Sequence, residues 1–206
     1  MKTIKHIIFD LGGVIMNLDV PKTISALQDI GITDIVNNTG HHYKYSFFYD
    51  FEIGKISSQE FIKALSNLST ETPSDAQIQN AWNAMIFDIP KARIDFIKSL
   101  KTNYNIYLLS NTNSIHQKKF LDEFEKAQGF KFNDLFEKAY YSHEVKIRKP
   151  DEAIFTYVLN DSELKAEESI FIDDSIDNIN AAERLGIQTF HIKDYNLLTD
   201  FAEFIL

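Results

Sequence analysis

Apolar residues along this chain follow two spacings. Three short unbroken runs, Ile7-Ile8-Phe9, Ile106-Tyr107-Leu108-Leu109 and Ile170-Phe171-Ile172, consist of β-favouring residues and are too brief for helices. Such runs predict strands covered on both faces. Elsewhere the spacing is helical. Ile24, Leu27 and Ile30 recur at helical intervals before Gly31, a natural stop. Ser57-Ser58-Gln59-Glu60 is a capping-box pattern, and Phe61, Ile62, Leu65 and Leu68 supply the apolar stripe of the helix it opens. Thr72-Pro73-Ser74-Asp75 marks a turn and a new start, with Ile78, Trp82, Met85 and Ile86 on one face. From Pro21 to about Phe87 no strand pattern interrupts these helices, so the stretch predicts an inserted helical lid.

From Pro90, suited to the first position of a helix, helix and strand alternate. Ile94, Ile97 and Leu100 face one way, and the 106–109 strand follows. A helix carries Phe120, Leu121 and Phe124, and Lys138 to Ser142 is a weaker strand. A helix is expected from Pro150, a strand over Ser169 to Ile172, and a helix from Ser175 closed by Gly186. Ile187 to Ile192 predicts a fifth strand and Tyr195 to Leu206 a last helix. This alternation predicts an α/β fold with a parallel sheet and helices on both faces. The expected division is a core over 1–18 and 88–206 and a helical cap over 19–87.

Composition narrows the possible functions. The 206 residues suit one core domain with a modest insertion, and 44% hydrophobic with 25% charged residues is a soluble globular composition. The net charge of −9 leaves no basic footprint for nucleic acid or an anionic membrane. A phosphorylated ligand would therefore need a local cation. The absence of cysteine excludes disulfides, thiolate nucleophiles and cysteine-bound zinc. Lys2 and Lys5 before an apolar stretch faintly resemble a signal peptide, but Asp10 interrupts it and no small-residue cleavage site follows. No apolar run approaches the roughly 18 residues of a membrane span. A soluble cytoplasmic protein is expected, with its oligomeric state left open.

The candidate chemistry lies at strand ends. Asp10 with Gly12-Gly13, Ser110 with Asn111, and Asp173 with Asp174 each follow a buried strand, and right-handed crossovers bring all three ends to one sheet edge. Asp173 and Asp174 repel each other without a cation; with Asp10 they make a hard, all-oxygen site suited to magnesium. Taken singly, Asp10 reads as a turn residue and the Asp pair as companions of a helix N-terminus that also has Asp177 in its first turn. Lys149, just before Pro150, is expected at the rim of a helix N-terminus, where an anion is favoured; a solvated lysine is the bland alternative. Ser110 offers a hydroxyl and the following N–H groups to phosphate oxygens, or simply caps a helix.

In this order, Phe9-Asp10-Leu11-Gly12-Gly13-Val14, Leu108-Leu109-Ser110-Asn111, Arg148-Lys149-Pro150-Asp151 and Phe171-Ile172-Asp173-Asp174 with Asn178 resemble the four motifs of the haloacid dehalogenase superfamily. The resemblance spans nearly the whole chain, including the cap after the first strand. It is nearest the bacterial α-glucose-1-phosphate phosphatase-like subgroup. It implies a Rossmann-like core and a magnesium-dependent phosphatase acting on a small phosphorylated metabolite such as a sugar phosphate. By that resemblance Asp10 is the nucleophile that becomes an aspartyl phosphate. Magnesium is held by Asp10, the Gly12 carbonyl and Asp174, with Asp173 a direct or water-mediated ligand. Ser110, the Asn111 backbone and Lys149 hold the phosphate. Glu52-Ile53-Gly54-Lys55-Ile56-Ser57 resembles the specificity loop of such caps, although a plain helix-turn-helix connection explains it equally.

One position departs from the pattern. Most phosphatases of the superfamily carry a second Asp two residues after the nucleophile, for proton transfer worth ~10²–10⁴ in rate; here it is Gly12. The resembled subgroup shares the glycine, which implies that activity is retained. Asp19, His41 and His42 are replacement candidates by residue type only. Two other readings stand beside the phosphatase. One is a catalytically weak or non-enzymatic binding protein, favoured by Gly12. The other is a 2-haloacid dehalogenase, which the Asp173-Asp174 pair opposes. The aromatic stretch Tyr43 to Phe51 reads as cap packing or, alternatively, as an interface.

Overall fold

In the computed structural model, which describes residues 3–36, 43–193 and 201–205, five parallel strands form one sheet in the order β3-β2-β1-β4-β5. The first strand is β1 (His6–Phe9). The inserted unit follows, with α1 (Val20–Gln28), α2 (Ser46–Glu52), α3 (Ser58–Ser66) and α4 (Asp75–Trp82). Then come α5 (Lys91–Leu100), β2 (Asn105–Ser110), α6 (Ser114–Gln128), β3 (Lys138–Tyr141) and the single turn α7 (Ser142–Val145). The chain continues with α8 (Glu152–Asp161), β4 (Ser169–Asp173), α9 (Ile176–Arg184), β5 (Gln188–His191) and α10 (Ala202–Ile205). No helix among the described residues is long and apolar enough to cross a membrane.

The apolar runs are double-sided because each face of the sheet is covered. Ile7, Phe9, Leu108, Ile170 and Ile172 pack on one side with Ile94, Ile97 and Phe120, while Ile8, Tyr107, Leu109 and Phe171 pack on the other with Ile154, Phe155 and Ile179. Pairing aligns Phe9 with Leu108 on one side and with Ile172 on the other. β1 is therefore central, and the chain leaves it in opposite directions, a topological switch point at which α/β sheets form clefts.

The inserted unit has its own core. Phe61 stacks on Phe51 at 4.2 Å between centroids and also meets Phe48 and Trp82, with Leu27, Leu65 and Ile78 around them. Tyr43 stacks on Phe48 at 4.2 Å, so the described aromatic stretch 43–51 is internal packing. The expected capping box of Ser57 with Glu60 forms, and the helix start after Pro73 proves to carry a second one, Ser74 with Gln77. Two segments tie this unit to the sheet domain: Leu18 bridges Ile86, and the Asp19 N–H bonds to the Met85 carbonyl at 2.9 Å.

The structure shifts several expected boundaries. Pro90 caps α5 from outside rather than entering it. Met85 lies in a 3-10 turn and Ile86 in the bridge to Leu18, so the helical face ends at Trp82. The eighth helix begins at Glu152 with Asp151 as its cap, because the Asp151 side chain takes the Ala153 N–H. The predicted final helix is described only over Ala202–Ile205, and His41 and His42 lie outside the described residues.

One side chain fastens the inserted helical unit to α6. His116 stacks on Trp82 at 4.9 Å, its Nε2 donates to the Trp82 carbonyl at 2.9 Å, and its Nδ1 accepts from Asn113 at 3.2 Å. Both nitrogens are satisfied only in the neutral ring, and burial pushes the pKa down to about 4. A depressed folded-state value means stability is fully present above the unfolded pKa of 6.5 and is lost as pH falls through the folded value. We expect about 3 kcal/mol to disappear between pH 6.5 and 4. Urea unfolding across that window should show the loss, and His116→Gln should flatten it.

Candidate active site

Asp10 sits one residue beyond β1 and keeps the ladder going, its N–H donating to the Ile172 carbonyl at 2.9 Å. The chain must then turn sharply away. Gly13 adopts φ 74°, a conformation that costs little without a Cβ, and its N–H closes on the Met16 carbonyl at 2.9 Å. On the neighbouring strand ends lie Ser110, buried at the end of β2, and Asp173, fully buried at the end of β4, with Asp174 next in line.

Lys149 joins these ends. Its ammonium is 2.7 Å from Asp10 Oδ1 and 2.7 Å from Asp173 Oδ2, and the side chain is 1% exposed. The lysine is thus buried across the carboxylates rather than standing at a helix rim, a correction to the expected placement. The expected helix start at Pro150 fails with it: the Lys149–Pro150 peptide is cis, and α8 begins two residues later. Asn111 explains how the segment is held. Its Nδ2 donates to the Lys149 carbonyl and its Oδ1 accepts the Lys149 N–H, both at 2.9 Å, so this side chain clamps the lysine backbone.

Asp173 is saturated with donors. Oδ1 accepts from the Ser175 N–H at 2.7 Å and from Asn178 Nδ2 at 3.0 Å, while Oδ2 accepts from Lys149 and Asn178. Asp10, Asp173 and Asp174 each offer an oxygen, and these lie within 4.8 Å of one another. Three hard oxygen donors so close, against one ammonium, fit a small divalent cation.

The charges respond to this crowding. Burial pushes the Asp10 carboxyl up to about 7; Lys149 opposes the rise and Asp173 and Asp174 add to it. Burial and then the Asp173 charge raise Asp174. Burial by itself would lower Lys149, but Asp10 and Asp173 outweigh it and keep the ammonium above its ordinary value. A cavity of about 440 Å³ runs from Asp174 and Gly13 between Leu18, Asp19, Val20 and Phe87. Asp19 lines it while capping α1, its Oδ1 accepting the Lys22 N–H at 3.3 Å.

The structure therefore brings Asp10, Gly12, Ser110, Asn111, Lys149, Asp173 and Asp174 to one sheet edge. Sequence reasoning missed other residues that organise this edge. Asn178, quoted within a motif but given no task, holds Asp173 from the first turns of α9. Ser142 accepts the Thr112 N–H at 2.9 Å and shares its proton between the Thr112 carbonyl at 2.9 Å and the cap's Glu52 carbonyl at 2.7 Å. Arg148 reaches the cap, with Nε 2.6 Å from Glu52 Oε2. Adjacency to Asp173 and Lys149 signals Asn178 and Arg148, whereas nothing local marks Ser142.

Comparison with known proteins gives concordant matches. A family model describing haloacid dehalogenase-like hydrolases matches residues 4–186. A D-ribitol-5-phosphate phosphatase from Bacteroides thetaiotaomicron is 32% identical over 187 residues, 91% of each chain. A solved HAD family enzyme from the same organism, in complex with magnesium and inorganic phosphate, superposes with TM-score 0.88 at 36% identity, covering 96% of this chain and 98% of that one. A predicted HAD-like family hydrolase from Porphyromonas gingivalis gives TM-score 0.88 at 31% identity over 98% of both chains.

Space at position 12 is already taken. A Cβ on Gly12 would lie 2.6 Å from Leu18 Cδ1, the mobile end of that side chain. Gly12→Asp should therefore cost at most about 1 kcal/mol, because the end of the half-buried Leu18 side chain can shift aside. Leu18→Ala in the same protein should recover most of it, a coupling that a double-mutant cycle by urea unfolding would measure.

Proposed function

The chain belongs to the haloacid dehalogenase-like hydrolases, and we propose that it hydrolyses a phosphomonoester of a small sugar or polyol, with Asp10 as nucleophile. The observation that carries this reading is the carboxylate of Asp10, set at a strand end beside Asp174 and held at 2.7 Å by a buried lysine. The likeness to a D-ribitol-5-phosphate phosphatase supports the substrate class.

Asp10 attacks phosphorus, the ester P–O bond breaks, and the phosphoryl group rests on the carboxylate until water releases it as inorganic phosphate. Lys149 offsets charge on the transferring oxygens and keeps Asp10 oriented. Ser110 and the Asn111 backbone border the same edge and would hold the phosphate. Asp10, Asp174 and the Gly12 carbonyl would bind magnesium, with Asp173 bracing the set through its four hydrogen-bond contacts to Lys149, Ser175 and Asn178. The ion, when bound, neutralises oxygen charge and orients the phosphate. The inserted helices cover the cleft and exclude bulk water. Gly12 moves no proton, so leaving-group protonation and water activation fall short of the usual rate by up to the ~10²–10⁴ that general acid–base catalysis supplies.

Phosphate release from a panel of sugar and polyol phosphates tests the reading. Turnover should require magnesium and vanish with EDTA. Asp10→Asn should lower kcat by on the order of 10⁴-fold or more, and Lys149→Met by at least ~10²; no turnover by the wild type on any ester would refute the reading. Because burial raises the Asp10 pKa and magnesium binds the carboxylate form, apparent magnesium affinity should fall as the pH is lowered. Calorimetric titration at pH 8, 7 and 6 measures that slope.

A further inference from the structure

The edge strand β5 reaches the carboxylate cluster from the side, through its last residue. It pairs in parallel with β4, His191 opposite Asp173, and the Ile192 N–H extends the ladder to the Asp173 carbonyl at 3.0 Å. The His191 ring then takes the next carbonyl: its Nε2 lies 3.0 Å from the Asp174 main-chain oxygen. A carbonyl only accepts, so this nitrogen carries its hydrogen whether the ring is neutral or protonated. Consecutive residues 191 and 192 thus hold the consecutive carbonyls of 174 and 173.

The support behind the ring is firm. Ile192 is 1% exposed, and Phe190 meets Phe201, just before α10, edge to face at 5.2 Å. The two aspartates need that support unequally. Asp173 is buried, and its oxygens are shared among Lys149, Ser175 and Asn178, which fix that side chain. Asp174 is exposed, and the charges of Asp10 and Asp173 repel its carboxylate from the place where the three converge. Its peptide lies after β4 has ended and before α9 begins. The His191 hydrogen bond sets the turn of that peptide, and with it the direction in which the Asp174 side chain leaves the backbone.

We propose that His191 is a positioning residue for the metal site: by fixing the Asp174 peptide it aims that carboxylate at the ion shared with Asp10. This rests on the reading of Asp10, Asp174 and the Gly12 carbonyl as magnesium ligands, and not on turnover. A ligand oriented before the ion arrives loses less freedom on binding, and removing the groups that orient metal ligands weakens binding by ~10–100-fold.

Two substitutions separate positioning from packing. His191→Leu keeps the bulk and loses the donor, whereas His191→Gln offers an amide N–H in place of Nε2. Magnesium binding is measured by calorimetry, with urea unfolding in EDTA alongside to confirm that each protein is folded. His191→Leu should weaken magnesium at least ~10-fold, and His191→Gln should restore affinity to within about threefold of the wild type. The magnesium needed for half-maximal phosphate release should rise in the same ratio. If His191→Leu does not fold, His191→Ala takes its place with the same expectation. Equal affinity in the wild type and His191→Leu would overturn the proposal, as would a folded His191→Gln protein no better than His191→Leu. A wild type that binds no magnesium removes the metal site and this role with it. The expected shifts in a wild type without turnover uphold this role and sink the phosphatase reading alone.

Discussion

Three carboxylates crowded at one sheet edge need a cation, and Lys149 is the one the chain supplies. The buried ammonium bridges Asp10 and Asp173 at 2.7 Å each, while Asp174 remains beyond its direct contacts. Removing either side of such a buried pair leaves an uncompensated charge costing about 3–5 kcal/mol, whereas the intact pair adds little net stability. The arrangement therefore burdens the fold more than it supports it. The two apolar layers over the sheet, with Ile7, Phe9 and Leu108 on one face and Ile8, Leu109 and Phe171 on the other, supply the rigidity that holds the strand ends in place.

Several kinds of contact join the inserted helices to the sheet domain. Hydrogen bonding between Asp19 and Met85 carries the chain across as a paired crossing. Ser142 ties the Glu52 carbonyl to Thr112, and Ser58 bonds Ser114 through their hydroxyls at 2.8 Å. Trp82 belongs to the cap core yet stacks on His116 of α6. The lysine backbone is clamped by Asn111 while its neighbour Arg148 reaches Glu52. Arg148 and Lys149 are consecutive, so one peptide segment contacts both the inserted helices and the strand-end carboxylates.

Much of this was legible in the amino-acid order because period and position are local signals. The double-sided strands, the capping box at Ser57, the helix start at Thr72 to Asp75, and the gathering of Asp10, Ser110 and Asp173 at one edge follow from runs, caps and crossover handedness. What escaped depends on distance in space. Asn111 reads as a phosphate neighbour, but its side chain is spent on residue 149, 38 positions away. Ser142 and Glu52 meet across 90 residues. The proline at 150 carries a strong helix-start signal, yet the Asp151 side chain captures the Ala153 N–H and sets the boundary further on. The lysine reads as standing at the rim of a helix N-terminus because Pro150 follows it; only the carboxylates on two other strands account for its burial.

The same spatial reasoning gives Gly12 its meaning. Conformational need does not explain it, since the left-handed residue of this turn is Gly13. What a side chain at position 12 would meet is Leu18, on the crossing segment, whose Cδ1 stands 2.6 Å from the place of a Cβ and would have to shift. Leu18 in turn bridges Ile86, the return segment from the cap, and lines the cavity that ends at Asp174. Its aliphatic end packs where a carboxylate would otherwise add a further negative charge to a cluster that already outnumbers its lysine. Excluding that charge avoids another buried desolvation cost. Positions 12 and 18 are therefore packed together where the chain leaves the strand end for the inserted helices, and any side chain at 12 acts on the Leu18–Ile86 crossing as well as on the carboxylates.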